Sequence, residues 1–483
     1  MIFSDFSKYN KKTEELILII GSGPAGISLA LELEKKKINS LILEAGDLDY
    51  SEKSQDFYEA DVIGDHLVDD IKHTRLRMFG GTSGHWGGTC RPLDGYDFKK
   101  WPIEKKDLDI YKDKTSKILN IKSEFKEKNI NTNFKLIEFQ TSSVQFGEKY
   151  KHHILKSRYI DLIYDASLIK FIGNEGIVFK AEIFNKKKYY IKAKKYILAT
   201  GGIENSRILL WSRNSTKNFL DKNLPIGNNW YTHPYHELGE GYTNNKKINQ
   251  LLKNDFNKFE NGFGLGPNTI TYNISPTNEF ILKNKILNFC VFIVTTQREN
   301  KNFRNILKNL LCVAPNLTQN LVKKIASDKT LFCGTTFVSS WEQDSQFSNR
   351  IELGTKLDNL GVPKTKIYYK KSNLVRTTAR VMMEELGKFY IEKNIGRLNM
   401  KEFLFNKDEY KTDGGGQHHL GGTIMGERNT NSVVDKNLKV HNTTNLYILG
   451  SSVYPTGGHA NPTFTIIQLA CKLSDHLKEI INV

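Results

Sequence analysis

The chain has 483 residues, which exceeds what one ordinary hydrophobic core needs, so two closely connected domains are expected. Hydrophobic residues make up 39% and charged residues 25% of the sequence, which excludes the disordered and fibrous classes of protein. The formal net charge is +17, but the lysines are dispersed from Lys8 to Lys478, which argues against a nucleic-acid-binding face.

The first predicted element is a buried strand at residues 16–20, which leads into a glycine-rich turn and a helix. The turn has the form G-x-G-x-x-G, with its glycines at Gly21, Gly23 and Gly26. A second apolar strand, at residues 40–43, ends in Glu44, which lies 23 residues after Gly21, close to where the fingerprint has its acidic residue. Together these parts predict an adenine-dinucleotide site, although they do not separate NAD from FAD.

Each part of this turn has a mechanical role in binding a dinucleotide. Gly21 permits the tight turn, Gly23 lets the backbone approach a pyrophosphate, and Gly26 lets the helix pack against the strand. The first amides of the helix face the anion. Glu44 is then expected to accept hydrogen bonds from ribose hydroxyls.

Further motifs follow in order along the chain. Residues 80–88 are rich in glycine, residues 196–205 predict a buried strand that leads through a glycine turn into a helix at 206–212, and residues 226–234 end in His-Pro. Three motifs lie near the C-terminus: residues 417–426, a strand with a Gly-Ser-Ser turn at 445–455, and residues 461–465, where a final helix from Thr463 to Ile480 begins.

In this order the segments resemble the glucose-methanol-choline (GMC) oxidoreductase family, especially its pyranose 2-oxidase-like and bacterial sugar or gluconate dehydrogenase-like members. The resemblance spans almost the whole chain and implies an α/β fold. A discontinuous Rossmann-type FAD-binding domain is expected at residues 13–235 and 405–483. An α+β substrate domain with an antiparallel-rich sheet is expected at 236–404, and residues 1–12 form a tail.

The resemblance also implies FAD as the cofactor, bound by glycine-rich and helix-start segments that include the turn at residues 196–205. One departure is Asn228, which stands where the family usually has arginine. The implied cofactor-binding residues are Gly21, Gly23, Gly26, Glu44, Gly81, Thr82, His85, Trp86, Gly87, Gly450, Ser451, Asn461, Pro462 and Thr463.

For the chemistry, the resemblance implies proton abstraction from an alcohol and hydride transfer to flavin N5. His419 stands before Gly-Gly-Thr at the family's spacing and is the predicted base. Asn461 cannot act as a base near neutral pH, so it is predicted to orient the same hydroxyl. His418 is the rival for the base, a structural role for both histidines is the alternative, and His233 is predicted to be structural.

His85 lies in a Ser-x-His-Trp segment like the one through which some relatives attach FAD covalently. The residues that follow are Gly87 and Gly88, where the covalent relatives carry threonine. Two roles are therefore left open for His85, which either bonds to the flavin or packs against it.

The predicted function is FAD-dependent oxidation of an alcohol group, with a hydroxyl of a sugar or sugar derivative as the substrate. The alternatives are a non-sugar alcohol and a non-redox lyase on the same fold. An electron acceptor is also required, either oxygen, a quinone or a separate protein. No heme or iron-sulfur ligand pattern is visible in the sequence.

Inside the expected substrate domain, strands are predicted at residues 286–294 and 335–341. Residues 349–353 and 358–363 resemble the family's strand-turn-strand. A lysine-rich stretch at 301–324 has helical spacing and predicts a solvated amphipathic helix.

The cysteines lie far apart and lack C-x-x-C spacing, so neither a zinc site nor a disulfide framework is predicted: Cys90, Cys290, Cys312, Cys333 and Cys471. No apolar run reaches the ~18 residues of a membrane span, and the polar N-terminus has no secretory signal. The sequence therefore predicts a cytoplasmic protein with no transmembrane segment.

Overall fold

The structure is a computed structural model, and it describes residues 1–14, 16–67, 69–252, 268–295, 335–406, 412–413 and 417–481. The lysine-rich stretch at 301–324 lies outside these residues. Among the described helices, none is both long enough and apolar enough to cross a lipid bilayer.

The described part of the chain contains strands and helices that are numbered here in chain order. The strands are β1 (Ile2–Phe3), β2 (Ile17–Ile20), β3 (Ser40–Leu43), β4 (Ala60–Gly64), β5 (His66–Leu67), β6 (Thr89–Cys90), β7 (Glu127–Asn129), β8 (Phe134–Thr141), β9 (Ile160–Ile163), β10 (Ser167–Asn174), β11 (Ile177–Asn185), β12 (Lys187–Ile191), β13 (Lys195–Leu198), β14 (Tyr235–Thr243), β15 (Ile270–Pro276), β16 (Val291–Thr295), β17 (Thr335–Ser340), β18 (Arg350–Leu357), β19 (Pro363–Tyr369), β20 (Gly396–Met400), β21 (Thr412–Asp413) and β22 (Leu446–Ile448). The α-helices are α1 (Pro24–Lys35), α2 (Glu52–Gln55), α3 (Lys105–Asp109), α4 (Lys112–Leu119), α5 (Phe146–Lys156), α6 (Gly201–Ser215), α7 (Asn245–Leu252), α8 (Asn278–Asn284), α9 (Asn373–Glu392) and α10 (Thr463–Ile481).

The first sheet has six parallel strands in the order β1-β9-β3-β2-β13-β22. Strand β2 is apolar and buried along its whole length, as expected when helices cover both faces of a parallel sheet. Helices α1 and α10 pack against each other beside this sheet. Because all six strands are parallel, the chain leaves β2, β3, β13 and β22 at the same edge, where ligands bind in open α/β sheets.

The second large sheet is antiparallel and has eight strands, in the order β20-β14-β17-β16-β15-β8-β6, with β7 paired to β8. Helix α9 supplies buried residues such as Met383 and Phe389 to the core that includes Phe134 on β8 and Trp341. Strands β6 and β8 precede residue 235, so the predicted domain boundary at that residue divides the strands of this sheet. The predicted fold class, a Rossmann-type domain combined with an antiparallel-rich domain, is confirmed.

Two of the three strand predictions between residues 286 and 363 are confirmed, and the third is correct only in its second half. Strand β17 covers the run predicted from residue 335, and β18 and β19 form the predicted strand-turn-strand. The run predicted at 286–294 becomes a strand only at Val291. Before that point the amides of Leu287 and Asn288 donate to Thr378 Oγ1 and to the carboxylate of Glu342, so side chains replace the neighbouring strand as acceptors.

A buried ion network ties helix α6 to the loop that joins β18 and β19. Glu204 accepts hydrogen bonds from Arg75 Nη1 at 2.9 Å and from Arg207 Nη1 at 3.0 Å, and Arg207 Nη2 also contacts Asp358. All four side chains are less than 10% exposed. Burial raises the pKa of Glu204, but the charges of Arg207 and Arg75 outweigh it and hold that pKa below its ordinary value.

Replacing Glu204 by leucine should therefore lower the free energy of unfolding by about 3–5 kcal/mol, because both arginines lose a buried counter-charge. The control is Glu352→Gln, which breaks the partly exposed pair with Arg350 and should cost at most about 1 kcal/mol. Urea unfolding of both variants measures the difference. Equal losses in the two variants would show that the buried network does not stabilise the fold as described.

Candidate active site

The glycine turn after β2 has the geometry that its sequence predicts. Gly21 has φ +105°, and a Cβ there would lie 2.4 Å from the Ala199 carbonyl oxygen at the end of β13. A Cβ on Gly26 would lie 2.0 Å from the Gly21 carbonyl oxygen, so α1 packs directly against the turn. A Cβ on Gly23 would meet no described heavy atom within 4 Å. The turn is closely packed at its first and third glycines and open at its second.

Glu44 lies at the carboxyl end of β3 and is 6% exposed. Its Oε2 accepts hydrogen bonds from the backbone amide of Ser22 at 3.1 Å and from Ser22 Oγ at 2.5 Å, and its Oε1 accepts from the amide of Gly46 at 2.8 Å. The structure thus places the predicted acidic residue directly beside the glycine turn, where a dinucleotide ribose would lie.

The glycine-rich segment at residues 80–88 reaches the same place. A Cβ on Gly81 would lie 3.0 Å from Gly23 Cα, and Thr82 Oγ1 accepts a hydrogen bond from the amide of Leu76. His85 is exposed at the end of the short 3-10 turn Gly81–Gly84. Trp86 Nε1 donates to the Val144 carbonyl at 3.0 Å, and Gly87 is open on its Cβ side, where no described atom lies within 4 Å.

The turn after β22 is tied to the start of helix α6. Asn205 Nδ2 donates to Ser452 Oγ at 2.9 Å, and Asn205 Oδ1 accepts from the amide of Thr200 at 2.8 Å. Gly450, which precedes this turn, has φ +140°, and Ser451 Oγ donates to the His419 carbonyl at 2.6 Å. Hydrogen bonds therefore join the turns at the carboxyl ends of β13 and β22 to each other and to the segment around residue 419.

The start of α10 lies next to this unit. Pro462 precedes the first helical residue, Thr463, and its carbonyl accepts a hydrogen bond from Tyr454 Oη at 2.8 Å. Tyr454 is fully buried, and its own carbonyl accepts from Tyr231 Oη at 3.2 Å. These bonds fix the position of Asn461, which comes directly before Pro462.

A short antiparallel bridge joins the two histidine-containing segments. Tyr231 and Leu420 exchange both backbone hydrogen bonds, each with an N···O distance of 2.9 Å. In the same register, residue 233 lies opposite residue 418. Since side chains alternate between the two faces of an extended segment, His418 and His419 must point in opposite directions.

His418 points toward His233 and Asn461. His418 Nδ1 lies 2.9 Å from His233 Nδ1, and His418 Nε2 lies 3.2 Å from Asn461 Nδ2. Burial lowers the pKa of His418 to about 4 and holds that of His233 well below its ordinary value, and for His233 the neighbouring histidines add to the effect. Both imidazoles are therefore neutral near pH 7.

His419 points to the other side, where it is 8% exposed. Its ring stacks on Trp230 with a centroid distance of 5.8 Å, and its Nε2 lies 2.8 Å from Thr74 Oγ1. Burial, with a smaller contribution from the charge of Arg75, lowers its pKa to about 3. A Cβ on Gly202 would lie 2.2 Å from the His419 carbonyl oxygen, so the backbone here also supports the start of α6.

The predicted pairing of His419 with Asn461 is not the pairing that the structure has. Asn461 contacts His418, because the bridge at Leu420 turns His419 toward Trp230. His233, which is predicted to be structural, contacts His418 through its ring. Two sequence features indicate where such a contact could form: the histidine of the His-Pro motif at 233 and the adjacent histidines at 418 and 419.

Comparison with known proteins identifies the fold. Residues 345–470 match the family model described as GMC oxidoreductase. The large subunit of fructose dehydrogenase from Gluconobacter japonicus is 22% identical over 304 residues, which are 60% of this chain and 48% of that protein. The chain thus spans about half the length of this curated relative.

Two solved structures share the fold over nearly the whole chain. Pyridoxine 4-oxidase from Mesorbium loti has a TM-score of 0.57 and 12% identity, and the match covers 95% of this chain and 98% of that one. Formate oxidase has a TM-score of 0.60 and 14% identity, covering 98% and 99%. These two matches agree with the predicted fold, and the predicted resemblance to the GMC family is confirmed by the family-model match at residues 345–470.

The open second glycine generates a test of dinucleotide binding. Gly23 has extended backbone angles that any residue adopts, so Gly23→Ala should fold normally and yet bind the adenine dinucleotide more weakly, because its methyl group fills the open space. Gly26→Ala is the matched variant and should instead destabilise the protein, since its methyl group meets the Gly21 carbonyl. Thermal unfolding and cofactor titration separate the two effects. Unchanged cofactor affinity in Gly23→Ala would contradict this assignment of the turn.

Proposed function

We propose that this chain, which carries the GMC oxidoreductase fold and that family's C-terminal domain at residues 345–470, is an FAD-dependent oxidoreductase that acts on an alcohol group. The observation that carries the proposal is the contact between His418 Nε2 and Asn461 Nδ2. A neutral imidazole nitrogen and an amide N–H at this distance can both engage one hydroxyl group.

The residues at this edge of the sheet fit FAD, both its adenine dinucleotide and its flavin. Gly23, Gly87 and Gly201 each leave open space where a Cβ would stand, with no described heavy atom within 4 Å. Glu44 lies beside the glycine turn, where its carboxylate would accept hydrogen bonds from a ribose. The first amides of α1 would bind a pyrophosphate. FAD, when bound, supplies the redox step by taking up a hydride from the carbon that bears the hydroxyl.

Within this function, His418 is proposed as the base and Asn461 as its partner. A base must be neutral at the working pH, and burial keeps the pKa of His418 low; its Nε2, which accepts from Asn461 Nδ2 at 3.2 Å, would exchange that hydrogen bond for one from the hydroxyl group. Asn461 donates from the same side, so it can orient the alcohol and stabilise the developing alkoxide. His419 faces the other side, where its ring stacks on Trp230 and its Nε2 lies 2.8 Å from Thr74 Oγ1, away from Asn461.

A sugar hydroxyl is proposed as the substrate. The support is the likeness to a protein named fructose dehydrogenase large subunit, together with the family resemblance of the sequence. The structural likeness to pyridoxine 4-oxidase keeps a non-sugar alcohol as the second candidate. Oxygen, a quinone or a separate protein then reoxidises the enzyme. Product analysis after incubation with sugars, polyols and simple alcohols separates these substrates, and it also identifies a non-redox lyase.

A reducing compartment, the cytoplasm, is proposed as the location. The support comes from the described cysteines Cys90, Cys290 and Cys471, which are buried free thiols. Burial raises the pKa of Cys90 and of Cys471 to about 12, so neither thiol readily forms the thiolate that disulfide exchange requires.

Covalent attachment of FAD to His85 is proposed in addition, and it has its own test. The support is the exposed ring of His85 at the end of the turn that begins at Gly81, next to Gly23. Acid-precipitated protein should keep its yellow colour, and a peptide that contains His85 should carry the mass of the flavin. His85→Ala should release the cofactor. Free FAD in the supernatant of the acid-precipitated wild-type protein would contradict the attachment and leave the fold unaffected.

The choice of base gives the sharpest test of the proposed reaction. His418→Ala should keep FAD bound and slow flavin reduction by the alcohol by roughly 10²–10⁴-fold, because the proton acceptor is lost. Asn461→Ala should slow the same step less, since it removes orientation and leaves the base. Rapid mixing without oxygen measures this step apart from reoxidation.

His419→Ala is the matched control for the base. It should lower thermal stability through lost packing on Trp230, with a much smaller effect on the rate of flavin reduction in the folded enzyme. A wild-type rate in His418→Ala combined with a large loss in His419→Ala would return the role of base to His419.

A further inference from the structure

The loop at residues 456–461 brings Asn461 to the site, and buried hydrogen bonds fix its first residue. Trp101 Nε1 donates to Thr456 Oγ1 at 2.9 Å, and Thr456 Oγ1 donates in turn to the backbone carbonyl of Asp97. Thr456 and Asp97 are both buried. The start of the loop is therefore anchored in the protein interior.

Two glycines follow in this loop, at positions where a side chain would not fit. A Cβ on Gly458 would lie 2.2 Å from Asp97 Oδ2, and Gly458 has φ +55°, a conformation that favours glycine. A Cβ on Gly457 would lie 2.6 Å from Leu420 Cδ1 and 3.0 Å from His233 Nε2. Backbone hydrogen bonds of both glycines also act on the His233 ring. The backbone of the loop therefore packs directly against Asp97 and His233.

His459 links the middle of the loop to a charged group. It is 2% exposed, and its Nε2 lies 3.3 Å from Asp94 Oδ2. Burial raises the pKa of Asp94, but the charge of Arg91, the hydrogen bond from His459 and the charge of Lys135 together hold that pKa well below its ordinary value. Asp94 is therefore a carboxylate, and His459 Nε2 donates a charge-assisted hydrogen bond to it.

Asn288 joins the same group of buried side chains from the segment that enters β16. Its Nδ2 donates to Asp97 Oδ1 at 2.8 Å and lies 3.4 Å from Asp94 Oδ2, and its backbone amide donates to Glu342 at 3.0 Å. All four residues are buried. Asn288 thus connects the antiparallel sheet to the two carboxyl groups against which the loop packs.

The proposed reaction depends closely on where the far end of the loop lies. Asn461 Nδ2 is 3.2 Å from His418 Nε2, and both atoms must reach one hydroxyl group. An error of about 1 Å in placing a group that acts on the substrate can slow an enzyme by roughly 10²-fold. Only Ala460 separates His459 from Asn461, so a shift of the histidine also moves the asparagine.

We propose that a buried cluster formed by Asp94, Asp97, Asn288 and His459 positions Asn461 for the hydroxyl group of the substrate. This inference rests on the proposed function. The cluster acts through Asn461, so its members are positioning residues and transfer neither protons nor electrons. Because Asn288 belongs to the segment that enters β16, the placement of Asn461 depends on contacts between the antiparallel sheet and the C-terminal loop.

A double-mutant cycle tests whether the cluster acts through Asn461. His459→Leu removes the hydrogen bond to Asp94, and it should lower the limiting rate of flavin reduction by on the order of tenfold, and by no more than Asn461→Ala does. In the Asn461→Ala background the same substitution should change the rate by less than about twofold, because no amide is left to position. Rapid mixing of the FAD-bound enzyme, without oxygen, with the alcohol that product analysis identifies measures all four rates.

Two further variants separate positioning from general damage to the fold. The amide of glutamine can donate from nearly the same place as histidine Nε2, so His459→Gln should restore most of the rate that His459→Leu loses. If His459→Leu does not fold, Asn288→Ala takes its place in the cycle, since it removes the hydrogen bond to Asp97 and keeps the backbone bond to Glu342. It should show the same dependence on Asn461.

His441→Leu is the matched control, because it removes a histidine contact outside the cluster, to Ser432 Oγ at 2.9 Å, and it should keep the wild-type rate. An equal loss from His459→Leu in both backgrounds, or no loss in the folded, FAD-bound variant, would overturn the positioning role. A wild-type rate in Asn461→Ala would instead refute the part of Asn461 in the proposed function, so the two failures are distinguishable.

Discussion

The backbone bridge between Tyr231 and Leu420 is the constraint on which the geometry of the site depends. It sets the register of two segments that are far apart in the chain, and a shift of one residue would exchange the faces of all their side chains. In the observed register, His418 meets His233 and Asn461, while His419 is buried against Trp230. The bridge thus decides which of two adjacent histidines faces the region proposed to bind the alcohol.

The parallel sheet determines where this bridge lies. Strands β2, β13 and β22 end at one edge. Asn205 joins the turns that follow β13 and β22, and Ser451 joins the second of these turns to the His419 carbonyl. The same edge carries the open glycine at position 23 and the carboxylate of Glu44. The glycine turn and Glu44 therefore lie at the same edge of the sheet as the turns that are joined to the segment around His419. A redox cofactor bound at this edge would lie next to the histidine cluster.

The fold could be predicted because its elements follow from short local sequence patterns. The site could be predicted only in part, because it depends on pairing between segments that are distant in the sequence. The glycine turn, the acidic end of β3 and the final helix follow from short stretches of sequence, and all are present. The choice between His418 and His419 depends on the partner at residue 231, which no local pattern reveals. The same limit applies to residues 286–290, where Asn288 bonds to Glu342 instead of to a neighbouring strand.

The central claim is that His418 and Asn461 bind the hydroxyl group of the substrate from one side. A crystal structure of the enzyme with FAD and a bound alcohol, or a slowly reacting analogue, measures this directly. The account predicts that the hydroxyl oxygen lies about 2.6–3.2 Å from both His418 Nε2 and Asn461 Nδ2, with His419 still stacked on Trp230. A hydroxyl group bound against His419, with His418 turned away from it, would contradict the account.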